Sequence, residues 1–338
     1  MSKPIVTGLL SYGMSGRIFH APFLASHPGF EFKAVLERNN KSAAQRYPSL
    51  ESYDSIGEML QDASIELIVV NTPNYTHFDY AMQALHAGKH VLIEKPAAVT
   101  VKQVETLFGE GRKLGLQVMI FQNRRFNSDF LSAKEVIESG RLGNLIEVHF
   151  RIDRYRIAIG NKPFKEDKAF PGNGLLYDLG SHLLDGAISL FGKPTSYRKT
   201  TAVHRPGSVV DDYFHFHLSY PNQLNVYLSS GLLIAEPEYG FVVHGTSGSF
   251  LKMRTDLQES QITGGMLPNE TDFGIEPEGA EGKLVIIDGQ GQKSTTLLKS
   301  PRGDYQGIFE AVYQTIRNQA AFPVSEDEVL WQMEMLEG

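Results

Sequence analysis

The sequence predicts a two-domain α/β protein: a doubly wound parallel sheet first, then an α/β domain with a large, mostly antiparallel open sheet. Three observations carry that expectation. Through the first 120 residues, short apolar runs alternate with segments of helical period, the signature of parallel strands covered by helices on both faces. Beyond about residue 122, strand-like runs follow one another closely with a period of two, as in antiparallel strands that bury one face. Finally, 338 residues exceed what one core organises, since single cores stop growing near about 250–300 residues. The division falls at residues 1–122 and 123–338, with the last helices free to pack back on the first domain.

In the first domain the strands are Ile5–Leu10, Phe30–Leu36, Ile65–Val70, His90–Ile93 and Gln117–Phe121, and the helices are Gly16–Ala25, Asn40–Tyr47, Ser55–Gln61, His77–Ala87 and Val101–Leu114. Gly88 suits a helix C-cap and Thr100 an N-cap. In the second domain a helix at Ser128–Ser139 precedes an alternating strand, Leu145–Arg154, and a helix at Tyr177–Phe191 follows. Strands are then expected at Ser196–His204, Asp212–Tyr220, Leu224–Leu233, Gly240–Gly245 and Ser249–Met253. Residues 256–282, rich in Gly, Glu and Pro, read as a long surface excursion. Helices at Asp304–Gln319 and Glu326–Leu336 close the chain, which stops at Gly338 and leaves room for a further tail.

Composition narrows the function. A hydrophobic fraction of 41% and a charged fraction of 21% are those of a chain with real cores. The net charge of −7 argues against nucleic acid as a partner, because that binding needs a cationic surface. With no cysteine, zinc–thiolate sites and thiol nucleophiles are excluded, and no metal site is expected. No signal-peptide pattern opens the chain at Met1–Pro4, and no apolar run approaches the roughly 20 residues that span a bilayer. The expectation is a cytoplasmic protein without a membrane partner.

The chemistry begins in the turn after the first strand, Gly8-Leu-Leu-Ser11-Tyr12-Gly13-Met14-Ser-Gly16. It matches the second and third glycines of the G-x-G-x-x-G dinucleotide fingerprint, with Ser11 in place of the first. A side chain at the middle glycine would stand where phosphate oxygens must go, and the following helix turns its N–H groups toward them. Glu37 lies 21 residues past Gly16, the spacing of the carboxylate that holds an adenosine ribose. It favours NAD, whereas neighbouring Arg38 could pair with the 2′-phosphate of NADP, so the choice between the two stays open. After the third strand comes Asn71-Thr72-Pro73-Asn74-Tyr75-Thr76-His77, at the carboxyl end of the sheet where open α/β folds bind ligands. After the fourth comes Glu94-Lys95-Pro96, which puts an ammonium at the same end. Asn123-Arg124-Arg125-Phe126 spans the domain boundary. Asp178 and His182, four apart on a helix, share a face, where a carboxylate can orient an imidazole base.

Taken in order, these pieces resemble the Gfo/Idh/MocA family of glucose–fructose oxidoreductases and inositol dehydrogenases. Within it, Gly16–Phe23 (GRIFHAPF), Asn123–Phe130, Arg154–Arg156 and Gly174–Asp185 look most like the NADP-dependent scyllo-inositol dehydrogenases. The resemblance covers almost the whole chain and implies an N-terminal Rossmann domain and an NAD(P) cofactor. It further implies a polyol or sugar-like substrate and a homodimer or homotetramer formed through the C-terminal sheet. It gives Lys95 the hydrogen bond to the reacting oxygen, His182 the hydroxyl proton, and Asp178 the orientation of His182 or a neighbouring hydroxyl. Asn123 and Arg124 would line the nicotinamide end, and Tyr155, Arg156, Asp212 and Tyr213 would meet substrate hydroxyls. Two other readings compete: a catalytically silent NAD(P)-binding sensor, and a glycoside hydrolase using internal hydride transfer.

Overall fold

A computed structural model describes residues 3–39, 41–160 and 162–338. The chain divides into two compact units: Met1–Asn123 with Gln258–Phe273 and Asp304–Leu330, and Arg124–Leu257 with Gly274–Gly303 and Trp331–Gly338.

The first unit holds six strands: β1 Ile5–Leu9, β2 Phe30–Leu36, β3 Glu51–Tyr53, β4 Leu67–Val70, β5 His90–Glu94 and β6 Val118–Phe121. They form one parallel sheet in the order β3-β2-β1-β4-β5-β6, the doubly wound Rossmann order. β1 and β4 are buried along their whole length, as central parallel strands covered on both faces must be. Gly8 lies inside β1, where a Cβ would come within 2.9 Å of Met59 Sδ and 3.2 Å of Ile68 Cδ1; its smallness serves packing. β3 escaped the sequence reading because three residues, Glu51-Ser-Tyr53, establish no period. The helix expected over 16–25 opens instead with a π-turn, Gly16–His20, before Ala21–Ser26. The next helix shortens to Ala43–Arg46; its expected start at Asn40 lies outside the described residues. Thr100 caps Val101–Leu114 as expected, accepting from Gln103 N at 3.2 Å.

The segment 256–282 is not a mere surface excursion. It contains the helix Gln258–Thr263, with Gln258, Ile262 and Phe273 buried. Gln258 Oε1 accepts from Tyr305 N at 2.6 Å, and the Phe273 ring lies 6.0 Å from that of Phe23. The glycines and prolines mark the flanks correctly, but the buried face between them depends on residues distant in sequence.

The second unit holds eight strands: β7 Leu145–Arg151, β8 Ser196–Ala202, β9 Tyr213–Ser219, β10 Asn225–Gly231, β11 Phe241–Gly245, β12 Gly248–Lys252, β13 Gly282–Ile287 and β14 Lys293–Leu298. Their order is β14-β13-β12-β11-β7-β10-β9-β8, antiparallel except for β7 beside β10. Val148, Phe150, Phe214, Phe216, Val226, Leu228, Val243 and Phe250 fill the buried face. On the other face Tyr227 stacks between His149 and His217, ring centroids 4.9 and 4.7 Å away. β14, largely exposed, carries no alternation of buried and exposed residues. Among the described residues no helix is long and apolar enough to cross a membrane.

Candidate functional site

The order of the first sheet reverses between β1 and β4, and the turns leaving their carboxyl ends meet there. Asn71, just after β4, donates from Nδ2 to the Ser11 carbonyl at 2.8 Å, while its Oδ1 is buried without a hydrogen-bond partner among the described residues. Ser11 closes its own turn, its hydroxyl accepting from Gly13 N at 3.3 Å. A Cβ at Gly16 would overlap the Ser11 carbonyl and sit 3.0 Å from Asn71 Nδ2, so close approach of the chain demands glycine there. A Cβ at Gly13 would meet only Ser11 Oγ at 3.4 Å, so the turn is open at its middle glycine. The open glycine, the close-packed glycine and the orphaned buried amide oxygen suit a dinucleotide, whose pyrophosphate would lie over Gly13 with Met14 exposed beside it.

The other turns at this end are tied together. Thr72 and Thr76 share a hydroxyl–hydroxyl bond of 2.6 Å, and Thr76 Oγ1 donates to Pro73 O at 2.6 Å. His77 is fully buried, with Nδ1 2.8 Å from Pro96 O and Nε2 2.8 Å from Thr72 O, so it clamps the turn after β4, including Asn74, to the turn after β5. Burial pulls the imidazole pKa down; the two carbonyls, which only an imidazolium bonds at once, pull up more weakly. Glu94 ends β5. Burial would raise its pKa, yet hydrogen bonds from His20 and Ser15, with the charge of Lys95, hold it at about 2. The carboxylate is therefore ionised directly before Lys95.

Glu37 does not project from the end of β2. It is 7% exposed, and Oε1 accepts from Ser42 N at 2.9 Å, Ser42 Oγ at 3.1 Å and Ala43 N at 3.2 Å. Its carboxylate caps the start of Ala43–Arg46. Arg38 is exposed. Tyr12 packs edge-on against Tyr47 at 6.4 Å, and burial pushes its hydroxyl pKa up against the smaller opposing pull of Arg46 and Arg17.

Asn123, at the end of the first unit, is buried. In the second unit Asp178 sits on a π-turn, Leu176–Gly180, and His182 on the α-helix that follows, Ser181–Phe191. His182 is buried and lines a small cavity of about 20 Å³ with Arg124, Arg125, Asp185 and Arg254, enough for about one water. Arg125 grips Asp185 with two bonds, Nε–Oδ2 at 2.8 Å and Nη2–Oδ1 at 2.6 Å. Arg124 Nε is buried without a partner among the described residues.

The four expected substrate contacts lie along neighbouring extended segments: Arg156 N donates to Leu232 O at 2.7 Å, and Leu232 N to Asp212 O at 2.9 Å. Tyr155 is 61% exposed, bridging to Leu233 through its backbone. Asp212, however, is 1% exposed and satisfied internally, accepting from His204 N at 2.8 Å and from Arg205 N at 2.7 Å. Arg205, equally buried, also binds Glu166 at 2.8 Å. Next to Glu166, Lys165 reaches Asp178 Oδ1 at 3.3 Å. Tyr213 opens β9 with its ring 5.9 Å from His204. Sequence reasoning missed Ser15, His20, Lys165, Asp185 and Arg205. Asp185, one turn beyond His182, was the only one with a readable spacing.

Known proteins bear on both units. A profile of the oxidoreductase family with an NAD-binding Rossmann fold matches residues 6–122, and one of the GFO/IDH/MocA C-terminal domain matches residues 130–251. The uncharacterized oxidoreductase C115.03 of Schizosaccharomyces pombe is 39% identical, covering 97% of this chain and 94% of its own. The scyllo-inositol 2-dehydrogenase (NADP(+)) IolW of Bacillus subtilis is 31% identical, covering 96% and 89%. The crystal structure of an oxidoreductase from Bacillus cereus is similar with a TM-score of 0.90 at 34% identity, covering 98% and 95%.

Proposed function

The chain belongs to the GFO/IDH/MocA oxidoreductase family, and on that premise we propose that it moves a hydride between NAD(P) and a secondary hydroxyl or ketone of a polyol or sugar-like molecule. The observation that carries this reading is Lys95: an ammonium directly behind β5, at the carboxyl end of the sheet that holds the open glycine turn. Nicotinamide, when bound, would supply the hydride acceptor. Lys95 would donate to the oxygen that becomes the carbonyl, and His182 would take the hydroxyl proton, so that oxidation of the alcohol leaves a ketone and a protonated imidazole. Asp178 orients His182 or binds an adjacent hydroxyl. Arg156 and Tyr155 meet the substrate with their side chains; Asp212 supports them through the backbone.

The capped carboxylate of Glu37 supports NADP(H) as the preferred coenzyme, because it already has donors while Arg38 is exposed. The same reading pairs the open face of the eight-stranded sheet with a second copy of the chain.

Calorimetric titration with NADH and NADPH, followed by a 340 nm screen of inositols, aldoses and methyl D-glucoside, tests the proposal. Sustained absorbance change with one substrate, reduced by about 10²–10⁴ in Lys95→Ala, is the expected result. Coenzyme binding without turnover of any of these would favour the silent sensor. Glycoside cleavage without net absorbance change would favour internal hydride transfer.

A further inference from the structure

Ser15 lies in the glycine turn and His20 in the π-turn Gly16–His20 that follows it, and neither side chain takes part in the hydride transfer above. His20 is fully buried, its ring 4.3 Å from Phe121 and 6.1 Å from Phe309. Its Nε2 lies 2.9 Å from Glu94 Oε1, and its Nδ1 is buried without a partner among the described residues. Facing an ionised carboxylate, Nε2 is the donor of that bond. Ser15, within the glycine turn, donates to the same Oε1 at 2.6 Å. The other oxygen, Oε2, accepts the backbone N–H of Lys95 at 3.2 Å. One carboxylate therefore joins three places: the turn that would carry the phosphates, the helix start behind it, and the amide of the lysine at the end of β5.

We propose that Glu94 is a positioning residue, held by Ser15 and His20, that couples occupancy of the glycine turn to the placement of Lys95; this rests on the role given to Lys95 above. A buried carboxylate is costly, and apolar packing of the same volume would stabilise the fold as well or better. Ionised, it acts on His20, Lys95 and His77. Any movement of Ser15 toward bound phosphate displaces the donor on Oε1 and, through the carboxylate, the acceptor of the Lys95 N–H. The lysine then takes its working position when the dinucleotide is in place.

ADP-ribose, with or without a 2′-phosphate, tests this, because it fills the turn but brings no nicotinamide to shield Lys95. The readout is limiting reductive methylation of the folded protein, with Lys95 scored by peptide mass spectrometry and Lys95→Arg identifying the peptide. Saturating ADP-ribose should change the Lys95 rate about fivefold or more in the unaltered chain, the lower end of site-to-site coupling. In Ser15→Ala and in Glu94→Gln the response should vanish, although calorimetry still records binding and both variants melt cooperatively. A response of full size in both variants, or none in the unaltered chain, overturns the coupling. The Lys95→Ala turnover measurement is independent of it: loss of turnover there with an intact response in Ser15→Ala would retain the reaction and discard the coupling.

Discussion

Removing Glu37 is expected to destabilise the first unit without changing which coenzyme it prefers. The carboxylate is buried and serves Ser42 N, Ser42 Oγ and Ala43 N at 2.9–3.2 Å, and Ala43 itself is fully buried. Glu37→Ala leaves those backbone donors with nothing in reach and opens a small void. One charged hydrogen bond contributes about 1.5–3 kcal/mol, and an orphaned buried donor costs a similar amount; partial entry of water offsets some of this, leaving about 2–3 kcal/mol. For a unit of this size that lowers the melting midpoint by about 4–12 °C. Thermal melting gives the first number, and calorimetric titration with NADH and NADPH gives the ratio of affinities, expected to stay where it is in the unaltered chain. A variant that melts like its parent while its preference swings toward NADPH would refute the argument, because Glu37 would then face the adenosine ribose.

Acid should weaken the fold through His77. Its pKa is lowered on folding, so its contribution is intact above the ordinary histidine value near about 6.5 and is lost as pH falls below it. The melting midpoint should decline from pH 7 to pH 5 and decline less in His77→Gln; an unchanged slope would remove His77 as a cause. Arg205→Ala leaves the buried carboxylate of Asp212 and its neighbour Glu166 without their common cation, and denaturant unfolding should show a loss of about 3–5 kcal/mol. A loss below about 1 kcal/mol, the size of an exposed pair, would count against a buried network. If the sheet face pairs with a second copy, Tyr227→Arg should convert the dimer mass in light scattering to that of one chain, and an unchanged mass would place the contact elsewhere.

Much of this was legible in the sequence. The alternation of apolar runs and helical segments is a local property, and it specified the parallel sheet, its carboxyl-end turns and the change of architecture near residue 122. Ser11–Gly16, Thr72–His77 and Glu94–Pro96 were readable for the same reason: each is a contiguous turn at a strand end. The direction of a polar side chain was not. Glu37 has the spacing of a ribose carboxylate, yet turns back to cap the next helix. Asp212 could be read as a substrate contact, yet Arg205 and two backbone amides consume it. His20 meets Glu94 across 74 residues, and Arg125 meets Asp185 across 60. Burial of Gln258, Ile262 and Phe273 belongs to the same class. Periodicity encodes which face of an element leaves water, because that depends on neighbours a few residues away. A buried polar group takes whichever partner the finished packing brings within about 3 Å, and only the tertiary structure decides that.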